Sequence, residues 1–113
     1  IGGSDQKGLN QCTELYKSFD CEKIITDSNS SQMIKYLSNT YLAMRLSFVN
    51  ETYRLVSEFN GNPEQVLNAI GKDKRIGNDY FRPSPGWGGS CFPKDVKEVI
   101  SSFQMDYQLQ IIS

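Results

Sequence analysis

The sequence predicts a mainly α-helical chain: a helical domain built on one long helix, preceded by a short β-α-β remnant. Three observations carry that prediction. Residues 30–60 contain neither Pro nor Gly, the two residue types that most readily break a helix. Apolar residues recur at helical spacing through most of the chain. The β-like run Ile24-Ile25-Thr26 falls near the start, before the long helix.

Taken in order, Ile1-Gly2-Gly3-Ser4-Asp5 reads as the end of a strand followed by a turn. Between Gly8 and Phe19 the apolar residues Leu9, Cys12, Leu15, Tyr16 and Phe19 follow the period of a helix. Ile24-Ile25-Thr26 then closes a β-α-β pattern whose beginning is missing. The long helix comes next, from about residue 30 to residue 60. Ser28 or Asn29 can cap it, and Gln32 stands three residues after Asn29, as in a capping box. Gly61 is its expected C′ stop. Such a helix is about 45 Å long at about 1.5 Å per residue. Its apolar positions, among them Met33, Leu37, Tyr41, Met44, Phe48, Leu55 and Phe59, form a wide stripe that drifts round the axis. More than one partner is expected for it, one of them another subunit, which implies a homodimer.

A second helix follows, with Asn62 as cap, Pro63 at the first helical position and Gly71 closing it. Residues 72–90 are rich in loop formers. The last helix is expected from Pro93 to Phe103, with Val96, Val99, Ile100 and Phe103 on one face.

The composition sets bounds. A chain of 113 residues with 38% hydrophobic and 22% charged residues makes one small folded domain and is not of the disordered class. With 12 basic and 13 acidic residues the formal net charge is -1, which offers no electrostatic case for nucleic acid or an anionic membrane. No apolar run is long enough to span a bilayer. The chain opens without an initiator Met or a basic n-region and stops in mid-pattern at Gln110-Ile111-Ile112-Ser113. It reads as a piece of a longer protein without a signal peptide. The three cysteines, Cys12, Cys21 and Cys91, are odd in number and form no CxxC. Neither a disulfide framework nor a metal site is expected, and a reducing, cytoplasmic setting is. With no histidine, the chain cannot form a Ser-His or Cys-His pair by itself.

The densest chemistry lies in Pro85-Gly86-Trp87-Gly88-Gly89-Ser90-Cys91-Phe92-Pro93-Lys94-Asp95. A glycine-rich loop runs into Cys91 just before a helix start, where unpaired N–H groups and the helix dipole favour an anion. The thiolate is the nucleophilic form of a cysteine. Asp95 lies four residues on, and a helix beginning at Phe92 puts both side chains on one face. Lys35 and Asn39 are also four apart on the long helix, so an ammonium and an amide can donate side by side to an oxyanion.

Gly88-Gly89-Ser90-Cys91-Phe92-Pro93-Lys94-Asp95 resembles the catalytic-cysteine signature of the UDP-glucose/GDP-mannose dehydrogenase family. Lys35-Tyr36-Leu37-Ser38-Asn39 resembles the family's Lys-x-x-x-Asn element, and Asn50-Glu51 and Asp73-Lys74-Arg75-Ile76-Gly77-Asn78 match two further segments in order. Ser31-Gln32 replaces the family's usual Ala-Glu, and Trp87 its usual Phe or other apolar residue. The resemblance implies that residues 1–27 end a Rossmann-type NAD-binding domain and that residues 28–113 form the central helical dimerisation domain.

It also implies the roles. Two NAD molecules serve the oxidation of a nucleotide sugar's C6 alcohol to a carboxylate. Cys91 attacks the intermediate aldehyde to give a thiohemiacetal, then a thioester that water hydrolyses. Lys35 and Asn39 stabilise the oxyanion or position a water, and Asp95 helps activate water. Lys94 meets the cofactor or substrate. Phe81, Arg82, Ser84, Gly86 and Gly88 lie along the nucleotide sugar, and Arg75 reaches the substrate of the neighbouring subunit. UDP-glucose is the expected sugar nucleotide, with GDP-mannose and UDP-N-acetylhexosamine relatives as alternatives. A dimerisation module without activity and a cysteine hydrolase are the other readings. Apart from the resemblance, each residue has a plainer reading: solvated Lys35, Arg75 and Lys94, a mid-helix Asn39, a first-turn acid at Asp95, and a Pro/Gly turn at 81–88. Cys12 and Cys21 are expected to be buried and inert.

Overall fold

The computed structural model describes residues 1–103; the side chain of Phe103 and the terminal pattern Gln110–Ser113 fall outside it. Four helices carry the described chain: α1 (Gln6–Leu15), α2 (Ser28–Glu58), α3 (Pro63–Gly71) and α4 (Phe92–Phe103). The chain divides into two units, Ile1–Leu37 and Ser38 onward, with α2 continuing through the division.

In the first unit α1 begins at Gln6, two residues before the expected Gly8. Asp5 is the reason: its carboxylate accepts from the backbone N–H of Lys7 at 3.3 Å and of Gly8 at 2.7 Å, satisfying donors that a helix start leaves open. The helix ends at Leu15, short of Phe19, because the backbone tightens into i→i+3 bonds from Lys17 to Glu14 and from Phe19 to Tyr16. Of the expected β-α-β remnant the described residues show α1 between two segments joined by one bridge, and no strand. Gly2 and Thr26 meet in a single parallel bridge, with Gly3 N–H donating to Thr26 O at 3.1 Å and Thr26 N–H to Ile1 O at 3.0 Å. No further strand stands beside the pair among the described residues, and a two-stranded contact is marginal in water by itself. Cys12 and Cys21, expected to be buried, are both exposed.

The cap of α2 is Asp27, not Ser28 or Asn29. Its carboxylate accepts from Ser30 N–H at 2.9 Å, and the hydrogen bonds from Ser30 hold it below the usual carboxylate range.

In the second unit α2 ends on a left-handed Asn60 (φ 57°) rather than on Gly61. Asn60 N–H donates to Ser57 O and Gly61 N–H to Val56 O, the paired bonds of a Schellman ending. Gly61 stands one position further on, where a Cβ would come within 2.7 Å of Val56 Cγ1. α3 follows the sequence closely: the Asn62 side chain accepts from Gln65 N–H at 3.1 Å and Pro63 opens the helix. Gly71 is buried, and a Cβ there would lie 1.8 Å from Asn78 Oδ1. The missing side chain lets the loop after α3 fold back onto the helix. Val49 of α2, Leu67 of α3 and Phe81 of the following loop form a buried cluster, with Ile70 packed against it. Val96 and Val99 of α4 are also buried, as the apolar face of that helix predicts.

Candidate active site

Cys91 sits at the mouth of α4. Its carbonyl accepts from Asp95 N–H at 2.9 Å, so Cys91 is the capping residue and the helix begins at Phe92, one residue before the expected Pro93. The Cys91 side chain is exposed, with Ser90 Oγ 3.7 Å from its sulfur. The chain reaches this position through Gly86 (φ 126°) and Gly89 (φ 83°), backbone conformations that side chains disfavour. Gly88 lies in open space without such a φ.

Below the cysteine lies a buried polar pair. Asp95 is 2% exposed and Asn39 is 8% exposed, and Asn39 Nδ2 donates to Asp95 Oδ2 at 2.6 Å. The other carboxylate oxygen receives the Lys94 ammonium, whose side chain is largely exposed. α2 and α4 thus meet through a carboxylate whose two oxygens have separate donors, the arrangement that a buried charge requires. Lys94, expected at the cofactor, is engaged by Asp95. Lys35 belongs to the first unit and is exposed, one helical turn before Asn39 on α2.

Two side chains of α2 hold the loop that leads to Cys91. Ser84 N–H donates to Asn50 Oδ1 at 3.0 Å, and Trp87 Nε1 donates to Ser47 Oγ at 3.0 Å. The Ser84 hydroxyl donates to Gly86 O at 3.2 Å. Arg82 is exposed.

A hollow of about 750 Å³ opens elsewhere in the same unit, lined by residues that include Arg45, Phe48, Glu51, Arg75 and Phe81. Phe81 is 7% exposed and belongs first to the core, its ring 6.3 Å from that of Phe48. The Arg75 side chain is 88% exposed and forks onto Asp73, with Nη2 at 2.6 Å and Nε at 3.1 Å from the carboxylate oxygens. Arg75 pulls the Asp73 carboxyl below its usual range. An exposed pair of this kind contributes little stability, so the guanidinium can exchange Asp73 for another anion at small cost.

The second unit therefore gathers Asn39, Lys94 and Asp95 at the helix end that carries Cys91. Arg75 and Phe81 line the hollow, whose wall includes none of those four. Three residues with structural parts in these loops were absent from the expected site: Arg45, Ser47 and Asn50. Asn50 stood within a matching motif, whereas nothing in the sequence around Arg45 distinguishes it from a solvated helical arginine. The described residues do not fit NAD. They hold no glycine-rich turn between a strand and a helix, the feature that cradles a dinucleotide pyrophosphate.

A helical domain with a cysteine at the N-terminus of its last described helix, backed by a buried Asn–Asp pair, defines the class. Residues 29–113 match the central domain of the UDP-glucose/GDP-mannose dehydrogenase family, and the chain belongs to that family. It is 38% identical over 112 residues to the UDP-glucose 6-dehydrogenase YwqF of Bacillus subtilis, covering 96% of this chain and 26% of that protein. It is 36% identical over 107 residues to the UDP-glucose 6-dehydrogenase of Rhizobium meliloti, 92% of this chain and 24% of the relative. With the enzyme of the same name from Rickettsia felis, identity is 44% over 73 residues, 65% of this chain and 16% of the relative. The chain spans about a quarter of the length of the first two of these relatives.

Proposed function

We propose that the protein carrying this chain is a NAD-dependent UDP-glucose 6-dehydrogenase and that this chain supplies its cysteine nucleophile. The observation that carries the reading is the exposed Cys91 at the capping position of α4, one turn from a carboxylate buried to 2%. The relatives named above, all UDP-glucose 6-dehydrogenases, support the choice of sugar nucleotide.

In this reading the Cys91 sulfur attacks the C6 aldehyde, and the aldehyde oxygen becomes the thiohemiacetal oxyanion. The open N–H groups at the start of α4 favour that negative charge, and Lys35 and Asn39 donate to it. Loss of a second hydride leaves a thioester on Cys91. Water hydrolyses it, freeing the carboxylate and the thiol, with Asp95 positioning the water or its proton acceptor. Arg82, Ser84, Gly86 and Gly88 lie along the nucleotide sugar, and Arg75 binds the substrate of the neighbouring subunit. NAD, the hydride acceptor of both oxidations, binds to parts of the protein outside the described residues. The apolar residues left exposed along α2 support a homodimer. Three exposed free cysteines fit a reducing, cytoplasmic compartment.

The test is the stoichiometry of NADH formed per UDP-glucose consumed by the full-length protein, beside Cys91→Ser. Two NADH per sugar are expected, falling by at least about 10³-fold in rate in the variant. Unchanged turnover without the thiol would remove Cys91 from the chemistry.

A further inference from the structure

Arg45 lies in the middle of α2 with its guanidinium turned inward. Nη1 donates to Ile76 O at 2.9 Å and Nη2 to Gly77 O at 2.8 Å. The guanidinium carbon stands 5.1 Å from the centre of the Phe81 ring and 5.9 Å from that of Tyr41. Nε is buried without a partner. An orphaned buried N–H is a cost, so the side chain holds this pose against a penalty.

The two carbonyls belong to the residues immediately after Arg75. The backbone there is a tight turn: Arg75 N–H reaches Asp73 Oδ1, and Ile76 and Gly77 N–H both reach Asp73 O at 2.9 Å. Those bonds are internal to the turn. At its ends Asp73 N–H donates to Ile70 O of α3 at 3.1 Å and Asn78 packs on Gly71, so these contacts tie the turn to α3 and not to α2. Arg45 ties it to α2. Gly77, at φ 70°, turns the chain at the second of these carbonyls. Phe81, anchored in the core with Val49 and Leu67, gives the guanidinium a flat surface to stack on. The Arg75 side chain is long, exposed and loosely paired, so its backbone origin decides where the guanidinium can reach.

We infer that Arg45 is a positioning residue for Arg75: it fixes the Ile76–Gly77 turn on α2 and so aims the Arg75 guanidinium at the nucleotide sugar. The inference rests on Arg75 being a substrate contact. Lysine cannot replace Arg45, because an ammonium lacks the planar fork that spans two carbonyls and the face that stacks on a ring. The effect belongs to substrate binding, so it enters KM, while kcat depends on Cys91 and its neighbours.

The experiment measures kcat and KM for UDP-glucose in the full-length protein, for wild type, Arg45→Lys, Arg75→Ala and the double variant. Arg45→Lys keeps the charge and most of the side-chain volume, so the fold survives. It is expected to raise KM about five- to tenfold with kcat within about twofold. Arg75→Ala is expected to raise KM at least as much, and adding Arg45→Lys to it should change KM by less than about twofold, because the two act in series. A wild-type KM in Arg45→Lys, beside a raised KM in Arg75→Ala, overturns the inference and leaves the reading of Arg75 standing. An undiminished effect of Arg45→Lys in the Arg75→Ala background overturns it too, since Arg45 would then act by another route. An unchanged KM in Arg75→Ala removes Arg75 as a substrate contact, and the inference falls with it.

Discussion

Asp95 is only 2% exposed, and Asn39 and Lys94 each donate to one of its carboxylate oxygens. The two donors are unequal. Lys94 is largely exposed and can move, whereas Asn39 is fixed in the middle of α2 and buried with its acceptor. Asn39→Ala therefore removes a buried donor from the Asp95 carboxylate, and the expected loss is roughly 1–3 kcal/mol of stability. Asn39→Asp is expected to cost more, because it sets two carboxylates within hydrogen-bond distance. Thermal melts of the full-length variants check both, and an Asn39→Asp melt equal to wild type would show that the Asn39–Asp95 hydrogen bond contributes nothing to stability. Asn39 and Asp95 were each legible as candidates from their own motifs. That they meet was not, because 56 residues separate them and no local period spans that distance. Arg45 escaped for the opposite reason. An arginine inside a helix ordinarily reads as solvated, and only the fold brings the Ile76 and Gly77 carbonyls to it.

For the helices, existence was legible and ends were less so. The unbroken run from 30 to 60, the Asn62-Pro63 start and the apolar face of α4 all follow from residue type and period, and all formed. Ends are decided by single hydrogen bonds with several competing residues nearby. At the start of α2 Ser28 and Asn29 were the expected caps, and Asp27, one residue earlier, took the Ser30 N–H. At its end Asn60 tolerated the left-handed conformation, and the glycine beside it served close packing on Val56. The cap at Asp27 has a pH signature. Its folded-state pKa lies below the ordinary 3.8, so folding favours the ionised form. That contribution is fully present above the unfolded value and is lost as pH falls through the folded one. The difference in melting temperature between wild type and Asp27→Ala should therefore be constant from neutral pH to about pH 5 and close below about pH 4. A gap that stays constant into acid would show that the carboxylate is not what caps the helix.

At the scale of the molecule, the chain spans about a quarter of the length of its first two relatives, and its described residues include exposed apolar side chains along α2. In the second unit Tyr41, Phe48, Leu55 and Phe59 of α2 and its C-terminal end are 50, 53, 55 and 79% exposed. Tyr41, Phe48 and Leu55 recur every seventh residue, the spacing of a seam between helices. Val49, on another side of the same helix, is fully buried in the core. One face of α2 thus builds the second unit. In the homodimer proposed above, a second copy of the chain covers the other face by symmetry, since the same stripe serves both sides of a two-fold interface. Burying one such side chain contributes about 1.5–3 kcal/mol. Leu55 and Phe59 from two subunits then contribute at most about 6–12 kcal/mol, from which the cost of association is still to be taken. Leu55→Asp with Phe59→Asp removes that burial and sets like charges across the axis without touching Val49, Leu67 or Phe81. The double variant of the full-length protein is expected to sediment at half the wild-type mass or less while keeping its helical circular dichroism. A mass equal to wild type would show that assembly runs through another surface and that this stripe is covered by the protein's own further domains.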